Sequence, residues 1–287
     1  MLAYFTATIL FGALAAPVLF WTGQSLASHG IFPALATFSF ESYFHRALIL
    51  GALMFLWPFL RWLGIKKPGD LSLSANRHWL RDLGVGSFVA VLPVLACELV
   101  LVRFGIYSMR PSLSWHAWAR VVPATVFVPF IEEPLFRGLI LGIFLRSLRP
   151  WPANLASAGI FSIVHFLKAP EKTTTAVQWN SGFISVAHSF DQFGEPMLVF
   201  AGFTTLLVIG LVLAYTRLQT SSLWLPIGLH AGWILASMAF GKLTHQEVEA
   251  LPWLGKSLLV GLVPLAVCLI SWAWLRAWFK CEDSPDS

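Results

Sequence analysis

Long runs of uninterrupted apolar sequence dominate this chain, and each is long enough to cross a bilayer. A helical span needs about 20 mostly apolar residues to traverse a hydrocarbon core about 30 Å thick. Eight segments meet that requirement: 2–22, 44–64, 83–104, 117–146, 151–168, 197–217, 221–241 and 256–279. No water is available inside a bilayer to satisfy backbone N–H and C=O groups, so such segments must close their hydrogen bonds internally, as helices. Membrane strands would alternate apolar and polar residues in runs of about 10; these runs stay apolar over twice that length. The expectation is an all-α, polytopic membrane helical bundle of about eight transmembrane helices, with 1–287 forming a single integral membrane domain.

Composition supports this through what is missing. Only 11% of the 287 residues are charged, against about 25% in a soluble domain, and a lipid-facing surface excludes charge. Fourteen Trp and 24 Phe suit a chain that passes repeatedly through the headgroup level, where amphipathic rings prefer to sit. The lipid bilayer is thus the first partner. The net charge is +5, but basic residues stand singly at segment ends and form no phosphate-tracking stripe, which argues against a nucleic-acid partner.

Those basic residues read as topology signals. If Ile65–Arg81, with Lys66, Lys67, Arg77 and Arg81, faces the cytoplasm, then Arg146, Arg149, Arg217, Arg276 and Lys280 share that side. The opposite side keeps Arg103, Arg110, Lys168, Lys172, Lys242 and Lys256. Met1–Trp21 lacks the positive n-region of a secretory signal and reads as an uncleaved first span. Cys97, Cys268 and Cys281 form no C-x-x-C pair and indicate neither a disulfide framework nor a thiolate metal site. In a bacterial host the location would be the plasma (inner) membrane.

A charged side chain at mid-membrane costs about 2.5–3.5 kcal/mol even on the lenient insertion scale, so each one needs a partner or a use. The fourth segment carries Glu132-Glu133-Pro134-Leu135-Phe136-Arg137 near its middle. Glu133 and Arg137, four apart, share a helix face and can pair. Glu132 is turned about 100° away, which leaves it available for chemistry. Pro129 and Pro134 each remove a backbone donor, so a kink with freed carbonyls is expected at the glutamates.

Two histidines complete the set. His165 ends the run Phe161-Ser162-Ile163-Val164-His165, and His230 lies beside Gly228 and Gly232, small residues that let helices approach closely. A Glu–Arg pair alone serves packing equally well, and a lone membrane histidine is more often an interhelical hydrogen bonder. A carboxylate pair and two histidines on three separate spans form a candidate active site. A carboxylate there can act as general base with histidine assisting and another donor holding an oxyanion. Alternatively, Glu132, His165 and His230 can bind a divalent metal whose water becomes the nucleophile. Both readings stay open at this point. The motifs G-x-S-x-G and H-E-x-x-H are absent, and Ser162 and Ser181 have no triad context. Glu98, His116, His245, Glu247 and Glu249 fall near span ends, where solvation would explain them.

On these residues the chain resembles the CAAX-processing endopeptidase and bacteriocin-processing family (CPBP), which includes the type II prenyl-protein endopeptidases. That family shows E-E-x-x-x-R, F-x-x-x-H and H-x-x-x-N on separate membrane helices. Here these are Glu132-Glu133…Arg137, Phe161…His165 and His230, with Ile234 in place of the family's asparagine. The family-like core runs from about 121 to 238. The resemblance implies that Glu132 is the general base, assisted by His165. It makes Glu133 and Arg137 the supporting residues and His230 an oxyanion donor. It also implies a polypeptide substrate in or beside the membrane.

Because Ile234 has no side-chain donor, Asn180 and the Trp233 indole are considered as substitutes. The polar Lys168–Pro196 segment is read as a substrate gate or as a loop anchored in the interface by its aromatics. Two other function classes share the same residues: an inactive peptide-binding scaffold, and a proton-coupled transporter using the Glu/His cluster as a relay.

Overall fold

The computed structural model describes residues 2–74, 76–111, 115–167, 176–248, 250–255 and 260–282. Each of the eight apolar segments has a helical counterpart. In chain order the helices are α1 (Leu2–Ser28), α2 (Phe40–Trp62), α3 (Trp79–Arg103), α4 (Trp115–Glu133), α5 (Leu141–Leu145) and α6 (Pro150–Phe166). They continue with α7 (Ser181–His188), α8 (Pro196–Leu198), α9 (Thr204–Thr220), α10 (Trp224–Leu243) and α11 (Leu262–Glu282). Two π-helical turns, Pro134–Ile140 and Val199–Phe203, join α4 to α5 and α8 to α9.

Among the described residues, six helices are long and apolar enough to cross a membrane: α1, α2, α3, the continuous α8–α9 run, α10 and α11. The other two segments differ for visible reasons. A π turn interrupts α4–α5, and α6 has only 17 residues. The architecture is an all-α polytopic bundle.

The chain up to Lys66 forms one compact unit with Leu167–Glu195. Its core is a helical hairpin in which Ala16 of α1 packs on Phe40, Phe44 and Ala47 of α2. Gly51 allows the approach, since a Cβ there would lie 2.7 Å from the Phe11 ring. Helix α7 docks on α1 with Gly182 against the Ala13 backbone, and Trp179 meets Trp21 edge-on at 4.7 Å between ring centres. Over its described residues, the segment expected to be a gate or an interfacial loop is a short helix docked on this hairpin. Lys168 and Lys172 lie outside the described residues, as do Glu249 and Lys256.

Lys67–Phe166 and the chain from Pro196 onward form the second unit. Its largest contact is α3 against α10, and small residues set its spacing. A Cβ on Gly232 would lie 2.7 Å from the Ser87 carbonyl oxygen, and Gly228 sits against the Leu83 backbone. Ser87 Oγ donates to the Gly228 carbonyl at 3.1 Å. Helices α6 and α9 meet where Gly210 faces Ala158, leaving 3.0 Å for any Cβ. Helix α11 packs on α3 and α9, and its Ser271 hydroxyl donates to Val89 O at 3.0 Å.

Beyond the ends of α3 and α10, β1 (Tyr107–Met109) and β2 (Thr244–Gln246) pair antiparallel, with Tyr107 opposite Gln246. At three residues each, the strands are too short to leave an alternating pattern in sequence. The basic loop before α3 is tied to the α9–α10 turn. Leu223 N donates to Ser72 O at 3.1 Å, Trp224 Nε1 to Ser74 O at 3.0 Å, and Arg217 to the Ser72 hydroxyl. Arg217 and this loop therefore share one end of the unit, as the charge pattern requires.

One expectation is corrected here. Glu98, placed at a solvated span end from sequence, is only 4% exposed, and on the same helix Leu101 packs with Tyr107, Phe240 and Leu254.

The α3–α10 spacing yields a direct test. Gly232→Leu should destabilise the protein by about 1–3 kcal/mol through overpacking, read as a lower melting midpoint in detergent. Gly84→Ala, whose Cβ would meet nothing within 4 Å, should stay within about 1 kcal/mol of the parent.

Candidate active site

The site begins with a backbone defect. Pro134 has no N–H to offer the carbonyl of Phe130, so the α ladder fails immediately after the two glutamates. By Leu141 the backbone N–H reaches five residues back, to Phe136 O, the i→i+5 pattern of a π-helix. Arg137 lies inside this turn, four residues after Glu133. Arg137 Nη1 donates to Glu133 Oε1 at 3.0 Å. Both side chains are sealed, 1% and 0% exposed. The guanidinium also donates to Gly210 O at 3.3 Å and lies 4.3 Å from the centre of the Phe161 ring.

Glu133 Oε1 accepts a second bond, from His230 Nδ1 at 2.7 Å. Glu132 points elsewhere. Its Oε2 lies 3.1 Å from His165 Nε2 and 3.9 Å from His230 Nε2. The side chains of Glu132 and His165 keep 23% and 27% exposure. The two adjacent carboxylates thus occupy different surroundings, one enclosed and charge-paired, the other reachable.

Hydrogen-bond logic fixes much of the proton arrangement. His165 Nδ1 lies 2.8 Å from Phe161 O, which can only accept, so this nitrogen carries a proton. Glu133, already accepting from Arg137, likewise takes the Nδ1 proton of His230. Both Nε2 atoms are then directed at Glu132 Oε2. A carboxylate and a bare imidazole nitrogen offer only lone pairs to each other. The 3.1 Å contact therefore holds one proton, shared between Glu132 and His165.

Helix α6 is held in place by backbone acceptors on its neighbours. Ser157 Oγ donates to Phe136 O at 3.1 Å, inside the first π turn, and Ser162 Oγ to Phe203 O at 2.8 Å, inside the second. Ser181 accepts from Gln178 N at 2.8 Å, a local turn contact. All five residues singled out in sequence, Glu132, Glu133, Arg137, His165 and His230, therefore lie in one connected network. The Phe161 and Gly210 carbonyls were not anticipated. The i, i+4 spacing of Phe161 and His165 could have suggested the first; nothing in sequence pointed to the second.

Ile234, one turn beyond His230, brings no hydrogen-bonding group. Trp233 lines an apolar crevice with Val94, Cys97 and Cys268, and Asn180 belongs to the first unit. Among the described residues, no group of three or more His, Cys, Asp or Glu side chains is arranged to hold a metal ion.

Residues 114–236 match the family model described as type II CAAX prenyl endopeptidase Rce1-like. Over that stretch the chain is similar to the Rce1-like family. The matched region contains every member of the Glu/His/Arg network and agrees with the family that the three motifs resemble. No curated protein and no solved structure matches the chain.

The sealed pair of the Rce1-like region makes a stability prediction. Arg137→Met leaves Glu133 as an uncompensated buried charge and should cost about 3–5 kcal/mol. Adding Glu133→Gln should recover a large part of that loss. Denaturant titration in mixed micelles checks both, and equal stability of the single and double variants would contradict the pairing argument.

Proposed function

We propose that this chain is a CAAX-type intramembrane endopeptidase that hydrolyses a peptide bond in a membrane-associated polypeptide, using water activated by Glu132 and His165. The observation that carries this reading is the accessible Glu132–His165 contact at 3.1 Å beside a second, sealed carboxylate whose Oε1 is held by Arg137 and His230. A purely structural Glu–Arg pair would not need the neighbouring glutamate and its histidine.

The steps follow from the proton positions. With the shared proton on His165, Glu132 is a carboxylate and takes a proton from water as the oxygen attacks the scissile carbonyl carbon. The developing oxyanion is held by His230 Nε2–H. That donor requires a proton on each ring nitrogen, and Glu133 Oε1 accepts the one on Nδ1. On collapse the C–N bond breaks and His165 Nε2 gives its proton to the leaving amine. The proton on Glu132 then returns to His165, and the pair is reset. Arg137 and Glu133 act through His230, holding its ring and tautomer.

Ile234 is the specific observation that favours a second reading, a peptide-binding scaffold with little or no turnover. A missing oxyanion donor costs about 10²–10³ in rate, which describes a slow enzyme rather than an inert one.

One set of variants separates these outcomes. Purified protein in detergent is incubated with a membrane-peptide library and cleavage is read by mass spectrometry, with and without chelator. Parent protein should cleave, and Glu132→Gln should not while retaining the parent melting midpoint. Ile234→Asn should raise the rate at least tenfold, within the about 10²–10³ available to one donor. Persistent cleavage by Glu132→Gln would refute the assigned base. Silence of both parent and Ile234→Asn would favour the scaffold, and loss of activity on chelation would move the chemistry to a metal.

A further inference from the structure

The proton shared by Glu132 and His165 has two possible placements. A neutral carboxylic acid beside a neutral imidazole avoids the cost of two enclosed charges; a carboxylate beside an imidazolium incurs it. Only the second arrangement leaves Glu132 as a base. Glu132, approaching from α4 at 3.1 Å, does not decide the matter alone, since it is the other party to the exchange. Arg137, in the first π turn, acts both ways: its fixed charge favours a carboxylate at Glu132 and opposes a second cation nearby. His230, on α10, directs Nε2 at the same Glu132 oxygen from 3.9 Å, and Glu133 is already bonded to Arg137 and His230. A further contact of the His165 ring has to favour its positive form.

Phe161 touches that ring twice. Its carbonyl takes the Nδ1 proton at 2.8 Å, and its aromatic ring lies 4.1 Å from the imidazole between centres, with 36° between the planes. The Arg137 guanidinium lies over the same aromatic ring, 4.3 Å from its centre. An aromatic face attracts a cation within about 6 Å, most strongly where water is excluded. Phe161 is 2% exposed, so solvent screens little of this attraction. His230, at 6.3 Å and 78° to the ring, falls outside that reach. Packing alone would accept any apolar side chain of this size; two cationic groups within reach of one π face call for an aromatic one.

We infer that Phe161 is a positioning residue for the proposed reaction: its ring face stabilises the imidazolium form of His165, so that the shared proton stays on the histidine and Glu132 remains the carboxylate that activates water. The backbone carbonyl orients the imidazole, and the ring lowers the cost of its charge beside Arg137. The consequence for turnover rests on the peptidase reading; the placement of the proton does not.

The test replaces Phe161 in the full-length protein with mono-, di- and trifluorophenylalanine. These drain the negative π face stepwise while keeping the ring and the backbone carbonyl. Monofluorination changes the volume least and already carries one step of the effect. The same series at Phe44, equally buried at 2% in the α1–α2 core, controls for the bulk of fluorine. Two quantities are read: kcat and KM on a cleaved peptide, and the nitrogen-15 spectrum of histidine-labelled protein, with the His165 signals identified by their loss in His165→Gln. Down the Phe161 series kcat should fall stepwise, by about tenfold at trifluorophenylalanine, with KM unchanged. The His165 Nε2 signal should move from the protonated towards the bare-nitrogen position, and the Phe44 series should alter neither. A His165 signal that stays fixed across the series would overturn the assignment, as would a loss of kcat matched by the Phe44 series. If the parent cleaves nothing and the His165 signal still moves, the peptidase reading fails and the role of Phe161 stands.

Discussion

The ion pair between Glu133 and Arg137 is the interaction on which the rest of the Glu/His network depends. Two charges this deeply enclosed are unstable apart, because removing either one leaves the other as an uncompensated buried charge. Here Glu133 Oε1 takes both Arg137 Nη1 and His230 Nδ1, while Arg137 reaches across to Gly210 O. One pair thereby couples α4, the first π turn, α9 and α10. It also fixes the His230 tautomer, which decides what the other ring nitrogen can do toward Glu132.

Consecutive glutamates could have been equivalent, and local backbone geometry makes them different. Arg137, inside the π turn that follows Pro134, bonds Glu133, while Glu132 contacts His165 on α6. Ser157 and Ser162 then pin α6 onto the two π turns. Both serine hydroxyls donate to carbonyls within these irregular turns, at Phe136 and Phe203, and so tie α6, which carries His165, to both of them.

Much of this was legible before any coordinates. Continuous apolar runs compel helices because a bilayer offers the backbone no other hydrogen-bond partners. The i, i+4 spacing of Glu133 and Arg137 prescribes their pairing, and Gly228 and Gly232 announce a close helix approach. Other features were not legible. Glu98 looked like a span-end residue, yet it is buried, and the nearby ribbon that pairs Tyr107–Met109 with Thr244–Gln246 is too short to leave a pattern. The segment after His165 looked like a polar loop. Its docking on α1 rests on a Gly182–Ala13 contact between positions far apart in the chain.

By itself, then, the sequence determined the all-helical membrane architecture, the five ionisable residues that need partners, and the family-like order of motifs. These follow from local rules: solvation of the backbone, helical periodicity, and the cost of charge in hydrocarbon. Only the tertiary structure decided which glutamate would be sealed and which reachable, which ring nitrogen of each histidine is committed, and where a carbonyl such as Gly210 would serve as a ligand. Those outcomes depend on distances between helices that never meet in sequence, set by the few glycines and serines where one backbone lies against another.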